Sequence, residues 1–171
     1  MIKLNLGCGA RTIPGYINFD KNPDYNNIGV IEMDVSNLSI FQNETVDEIY
    51  NSHVIEHFDF NRGIEVLREW YRVLKPGGKL IIETPDFYNS CKFFCELYEN
   101  YDEKEIMKLY GHFFSEPWKP FNIHLFLYSE IQLKNALHAI GFKKIKREKA
   151  VNFIEHFPGH EDIFLRVECE K

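Results

Sequence analysis

Cysteine is scarce in this chain: Cys8, Cys91, Cys95 and Cys169 are the only thiols among 171 residues. Four scattered cysteines do not make a disulfide framework. None forms a Cys-x-x-Cys pair, so a structural zinc knuckle is not expected. Cys91 and Cys95 fall four apart on one face of an expected helix, with no histidine near them in sequence, and read as buried thiols. No metal site is expected. Positive charge is also short: 20 Lys and Arg stand against 26 Asp and Glu, a net charge of −6, which speaks against a general nucleic-acid binder. No apolar run approaches the length of a membrane span. The opening MIKLNLGCGA turns glycine-rich after one lysine and lacks the apolar core of a signal peptide, so a cytoplasmic location is expected. Internal repeats, low-complexity tracts and Pro/Gly/Ser-rich linkers are absent as well. The length suits one domain over residues 1–171.

What is present alternates between short apolar runs and helical periodicity. Ile2 to Leu6 reads as a buried strand running into Gly7-Cys8-Gly9. Tyr16 to Phe19, Val30 to Met33 and Val46 to Tyr50 read as three more strands, each ending in a small or acidic polar residue. Ile64, Leu67, Tyr71 and Leu74 recur at helical spacing up to Lys75-Pro76-Gly77-Gly78, where Pro-Gly suits a type II turn. Lys79 to Thr84 is a fifth strand, residues 88–110 are mostly helical in pattern, and residues 111–128 are irregular and aromatic. Ser129-Glu130-Ile131-Gln132 is a capping box; Leu133, Leu137 and Ile140 form the stripe that follows, and Gly141 ends it. Phe142 to Lys149 and Asp162 to Glu170 read as two closing strands, an antiparallel pair at the edge of a parallel sheet. The pattern is that of an α/β fold with an open, doubly wound sheet. Only ten residues separate Gly9 from Asp20 and thirteen separate Asp20 from Asp34, so the first two helices must be very short or replaced by loops.

Ligands of such sheets bind beyond the carboxyl ends of the strands, where the strand order reverses. Four features fall there. Gly7-Cys8-Gly9 allows close backbone approach, and its exposed N–H groups attract an anion. Asp20 ends the second strand, where a carboxylate accepts hydrogen bonds from both hydroxyls of a ribose. Asp34 ends the third, where it suits an exocyclic amine of adenine, with Val35 against the base. Ser52 to His57 follows the fourth and brings polar groups to the same rim. Taken singly, each also fits a bland role as a turn, a cap or a helix start. Their order after successive strands is that of a nucleoside site.

Leu4-Asn5-Leu6-Gly7-Cys8-Gly9 resembles the first motif of class I S-adenosylmethionine-dependent methyltransferases. Val46 through Phe58 resembles their fourth-strand motif, and Trp70 through Leu80 the helix, turn and strand that follow. Leu133 through Phe142 is similar to their ending. The wording LNLGCG…GYxNxD is that of a compact branch of the family, often met among genes for surface polysaccharide synthesis. The resemblance implies a Rossmann-like sheet, mostly parallel, with an antiparallel C-terminal edge pair and shortened N-terminal helices. It implies S-adenosylmethionine as cofactor, with Gly7, Cys8 and Gly9 on its methionine portion, Asp20 on the ribose, Asp34 and Val35 at the adenine end, and Ser52 and His53 along the middle. Two positions depart from the pattern: Asn5 stands where many members have an acidic residue, and Arg11 near where many have a third glycine. Arg11 suits the cofactor carboxylate as a bidentate partner, and equally a plain surface position.

Methyl transfer to a hydroxyl needs its proton removed, and histidine serves near neutral pH. His57, close after the fourth strand, and His124, in the aromatic stretch, are the candidate bases; each also fits a supporting role. The expected partner is a small-molecule acceptor, saccharide among the classes that aromatic faces suit, with no membrane or nucleic acid involved. Trp118 is the aromatic expected to be exposed. The basic run Lys143 to Lys149 suits an edge strand protected by lysines. Two other classes fit part of the pattern: a protein that binds the cofactor or a nucleoside without turnover, and a nicotinamide-dependent oxidoreductase, which lacks support because Gly7 to Thr12 does not complete the GxGxxG fingerprint.

Overall fold

The short apolar runs form strands in the computed structural model, which describes residues 1–115, 122–152 and 156–171. In chain order the elements are β1 (Lys3–Leu6), β2 (Ile17–Asp20), β3 (Ile31–Glu32), β4 (Val46–Ser52), α1 (Phe60–Val73), β5 (Leu74–Pro85), α2 (Phe87–Glu99), α3 (Glu103–Phe114), α4 (Glu130–Ile140), β6 (Lys143–Glu148) and β7 (Phe164–Glu170). The sheet runs β3-β2-β1-β4-β5-β7-β6. The first five strands are parallel to one another, and β7 is antiparallel to both β5 and β6. The chain therefore steps outward from β1 to β3 and returns to place β4 on the other side of β1. The reversal lies between the carboxyl ends of β1 and β4, the position that leaves a crevice.

No α-helix joins β1 to β2 or β2 to β3, as the short spacing requires. Residues 7–16 make the first crossover as a loop, and a 3-10 segment over Pro23–Ile28 makes the second. Two asparagines do for this loop what helical hydrogen bonds would do. The Asn5 amide donates to the Arg11 carbonyl (3.0 Å) and to Asn18 Oδ1 (2.8 Å), and Asn18 Oδ1 also accepts from the Ile13 N–H (2.9 Å). Asn5 is buried, so its loop bonds replace water that it has lost. This is the structural use of the departure from an acidic residue at that position.

The core lies on one face of the sheet. Leu4, Leu6, Ile49, Leu80 and Val167 face Leu67, Trp70, Leu133 and Leu137 of α1 and α4. The α1 stripe is turned from the expected one: Gly63, Val66, Leu67, Trp70 and Val73 are buried, whereas Ile64 and Tyr71 are only half-buried. Trp70 Nε1 donates to the Val35 carbonyl (2.9 Å), which ties this core to the loop after β3. The strand order is the doubly wound one expected, and the other face of the sheet is polar at its middle. Its centre carries polar residues in register, not a second apolar layer: Arg166 pairs with Glu83 (2.6 Å) and Glu168 (2.7 Å), and Lys3 with Glu48 (3.2 Å).

Other differences are local. The strand assigned as β5 starts at Leu74, because the Pro76-Gly77 turn is carried as a bulge within it: Val46 pairs with Leu74 and Glu48 with Lys79. Gly77 has φ +78°, the left-handed value a type II turn needs at its third position. The helical stretch 88–110 is two helices, broken before Asp102, whose side chain caps α3 through the Glu105 N–H (3.1 Å). With Phe93 and Leu97 of α2 and Leu109 of α3, Ile163 and Phe164 make a second, smaller core at the carboxyl end of β5. Cys91 is half-buried and Cys95 exposed, not buried as expected, because Ser90, Phe93 and Leu97 form the inner face of α2. The capping box at Ser129 forms, with both reciprocal hydrogen bonds present. Two lysines of edge strand β6 are ion-paired, Lys144 with Glu170 and Lys146 with Glu148. Trp118 lies outside the described residues.

Candidate active site

Each strand that ends at the crevice delivers one feature to a single cleft of about 1710 Å³. That exceeds the roughly 300–1,000 Å³ of a common ligand pocket and leaves room for a nucleoside and a second molecule side by side. Gly7, Cys8, Gly9 and Arg11 enter it after β1, Asp20 at the end of β2, and Asp34 and Val35 after β3. Ser52, His53 and His57 enter from the end of β4, and His124 from the segment after α3. All of these sequence-expected site residues therefore line one wall-to-wall space.

The glycine turn is built for close approach. Gly7 has φ +67° and Gly9 φ +52°. A Cβ on Gly7 would lie 2.4 Å from Cγ2 of Val54, so no side chain fits there without displacing the β4 loop. Gly7→Ala should lower unfolding stability by about 1–3 kcal/mol in urea titrations, combining left-handed strain with the steric clash. Stability within ~0.5 kcal/mol of the parent would show that the turn yields freely. Between the glycines, Cys8 is buried, and its thiol is pushed up to about 11 by burial and by the Asp20 charge, so it stays neutral and unreactive.

Asp20 turns toward that loop. Its Oδ2 accepts from the Gly9 N–H (2.7 Å) and its Oδ1 from the Asn22 N–H (2.9 Å). Each carboxylate oxygen keeps a further lone pair for the cleft. Asp34 is exposed on the rim, with Oδ1 accepting from the Ser36 N–H (2.9 Å). Burial works against its ionised form, but the Ser36 hydrogen bonds and the charges of Lys21 and Arg62 outweigh it and hold the carboxyl below its ordinary range. Arg11 reaches across the opening, 3.5 Å from Oδ1 of Asn152. On the floor, Ser52 Oγ is buried with no hydrogen-bond partner among the described residues. A buried hydroxyl facing a cleft in that state is fitted to a polar ligand atom.

Glu56 was not among the expected site residues, and the other end of the cleft is organised around it. Ile55–His57 forms a 3-10 turn, which sets residues three apart on the same side. Nδ1 of His53 therefore lies 3.0 Å from Oε1 of Glu56. Glu56 is fully buried, and its Oε2 accepts from the Thr84 hydroxyl (3.0 Å). The Glu56 carbonyl accepts from the Leu125 N–H (2.8 Å), which fixes the 122–128 segment against the turn. This brings His124 Nε2 to 3.9 Å from Glu56 Oε1, and the His57 and His124 rings to 4.9 Å apart. Burial raises the Glu56 carboxyl, but the hydrogen bond and charge of His53 and the neighbouring His57 and His124 outweigh it and hold it at about 2. Burial pushes His124 below the ordinary histidine range, so it is neutral at pH 7. His112 of α3, pushed down to about 3 chiefly by burial, is a neutral structural imidazole whose carbonyl accepts from His124 Nδ1 (3.1 Å). The recognisable sequence signal for Glu56 is His53-x-x-Glu56-His57 directly after a buried strand.

The family described as "Methyltransferase domain" matches residues 16–82. No curated protein matches the chain. Among solved structures, a SAM-dependent methyltransferase from Archaeoglobus fulgidus is 19% identical with a TM-score of 0.65, over 99% of this chain and 85% of that one. One from Methanosarcina mazei is 18% identical with a TM-score of 0.65, over 99% and 91%. The 1,6-didemethyltoxoflavin-N1-methyltransferase of Burkholderia thailandensis, solved with S-adenosylhomocysteine, is 12% identical with a TM-score of 0.63, over 99% and 70%. At such identities the likeness is one of fold. The chain thus shares the Rossmann-like sheet of solved S-adenosylmethionine-dependent methyltransferases, and its residues 16–82 are similar to a methyltransferase domain.

Proposed function

We propose that the chain, acting as one domain over residues 1–171, binds S-adenosylmethionine in this cleft and methylates a small-molecule acceptor. The observation that carries the site assignment is the Asp20 carboxylate, joined to the Gly9 N–H at 2.7 Å while lining the cleft. S-adenosylmethionine supplies a methyl group activated by sulfonium. The turn at Gly7 to Gly9 accommodates its methionine portion, with Arg11 beside the carboxylate; Asp20 holds the ribose diol; Asp34 and Val35 receive the adenine; Ser52 and His53 line the centre. The chain's remaining task is to align the acceptor and exclude water.

His57 and His124 face the acceptor. His57 Nδ1–H donates to the Ile123 carbonyl (3.0 Å), which leaves Nε2 with its lone pair toward the cleft, able to take the hydrogen of an acceptor hydroxyl. A saccharide is the acceptor class we favour. Phe58 and Phe157 line the cleft, and aromatic faces suit sugar rings. No helix among the described residues is long and apolar enough to cross a membrane, and four free thiols suit a reducing cytoplasm. The experiment is transfer of labelled methyl from S-adenosylmethionine to a panel of sugars, nucleotide sugars and other small hydroxyl compounds. Label in a product supports the reading; tight cofactor binding without transfer to any member would favour a binding protein.

A further inference from the structure

We infer that Glu56, His57 and His124 form a binding site for a divalent first-row transition-metal ion at the acceptor end of the cleft. One ligand atom from each of the three lies within 4.8 Å of the others. Two imidazoles and one carboxylate are a donor set that holds Zn²⁺, Mn²⁺, Fe²⁺ or Co²⁺ on one side and leaves the remaining positions open. Ligand atoms around a tetrahedral zinc stand about 3.3 Å apart at Zn–N distances of ~2.0–2.1 Å. The cluster therefore needs to contract by up to about 1.5 Å, within the reach of side-chain rotations.

The surroundings of the cluster point the same way. Histidines that hold a metal almost always donate their other ring N–H to a carbonyl or carboxylate, which fixes the tautomer. Both do so here, to backbone: His57 Nδ1 to Ile123 (3.0 Å) and His124 Nδ1 to His112 (3.1 Å). Each ring is thus held with Nε2 presented. Glu56 is oriented in turn, its Oε2 taken by the Thr84 hydroxyl (3.0 Å). Its Oε1 is fully buried, with His53 Nδ1 at 3.0 Å on one side and His124 Nε2 at 3.9 Å on the other. A buried anionic oxygen with one imidazole beside it is further stabilised by a cation. His57 and His124 line the cleft, so an ion held there would be open to an acceptor oxygen.

The inference stands on the cluster and not on methyl transfer, so its test is metal binding itself. The full chain, stripped with a chelator, is titrated with Co²⁺ by visible absorption and with Zn²⁺ by calorimetry. One equivalent should bind, with Co²⁺ d–d bands of low symmetry. His57→Ala and His124→Ala should each weaken it by about 100-fold, since even losing an outer partner of a ligand costs 10- to 100-fold. His138→Ala, exposed on α4, should leave it unchanged. His57 is only half-buried, so its variant decides the matter if His124→Ala does not fold. S-adenosylhomocysteine affinity, measured in the same variants, should stay within about threefold, which separates this site from the cofactor assignment. No saturable binding, or binding that both alanine variants retain, overturns the inference.

Discussion

Asp20→Ala is expected to weaken S-adenosylmethionine binding by about 100-fold while leaving a cooperatively folding protein. A carboxylate accepting from both ribose hydroxyls contributes two charge-assisted hydrogen bonds, each about 1.5–3 kcal/mol. The same side chain also satisfies the Gly9 and Asn22 N–H groups, at 2.7 and 2.9 Å, and so shapes the turn we assign to the methionine portion. Both effects act on affinity in the same direction. Asp20→Asn separates them. One amide oxygen remains to accept, so its loss should be nearer tenfold. Asp20 is half-buried and outside both apolar cores, so the variant should still unfold in one transition. Calorimetry checks the affinity and urea denaturation the fold. Unchanged affinity in a folded Asp20→Ala protein would remove the ribose assignment.

His57→Ala should lower kcat by about 100-fold and leave the cofactor Kd within about threefold. Positioned proton transfer contributes ~10²- to 10⁴-fold, and a polarising ion at the same place acts on the same step. His57 reaches the cleft from the turn after β4, beside His124 and at the opposite end from Asp34. It should therefore act on turnover more than on cofactor binding. Single-turnover rates at saturating cofactor make the comparison, once a methylated product is in hand. A rate within twofold of the parent would confine His57 to a supporting role.

The strand ends were the most legible part of the sequence. Buried parallel strands read as apolar runs, and the polar residue that stops each run is the one delivered to the crevice, as with Asp20 and Ser52. The missing early helices followed from chain length alone, since ten residues between Gly9 and Asp20 cannot hold a crossover helix. Three things were not legible. The polar sheet face lies in strands such as β7, where Arg166 and Glu168 alternate with Leu165 and Val167, an alternation that short apolar runs do not reveal. The α1 stripe was misjudged because Trp70 and Gly63 are inner residues: Gly63 leaves space for the Tyr128 hydroxyl, a contact between distant parts of the chain. Glu56 was passed over as part of a helix start. Its His53-x-x-Glu56-His57 spacing was visible, but the third member, His124, arrives through the hydrogen bonds of Leu125 and Phe126 to the Glu56 carbonyl, which no local pattern announces.

The central claim is that the carboxyl ends of β1, β2 and β4 make one adenosyl pocket. Calorimetric titration of the full chain with S-adenosylhomocysteine, repeated with NAD, tests it most directly. The account predicts one equivalent of S-adenosylhomocysteine bound saturably and no saturable heat from NAD. Saturable NAD binding, or a folded protein that takes up no S-adenosylhomocysteine, would contradict it.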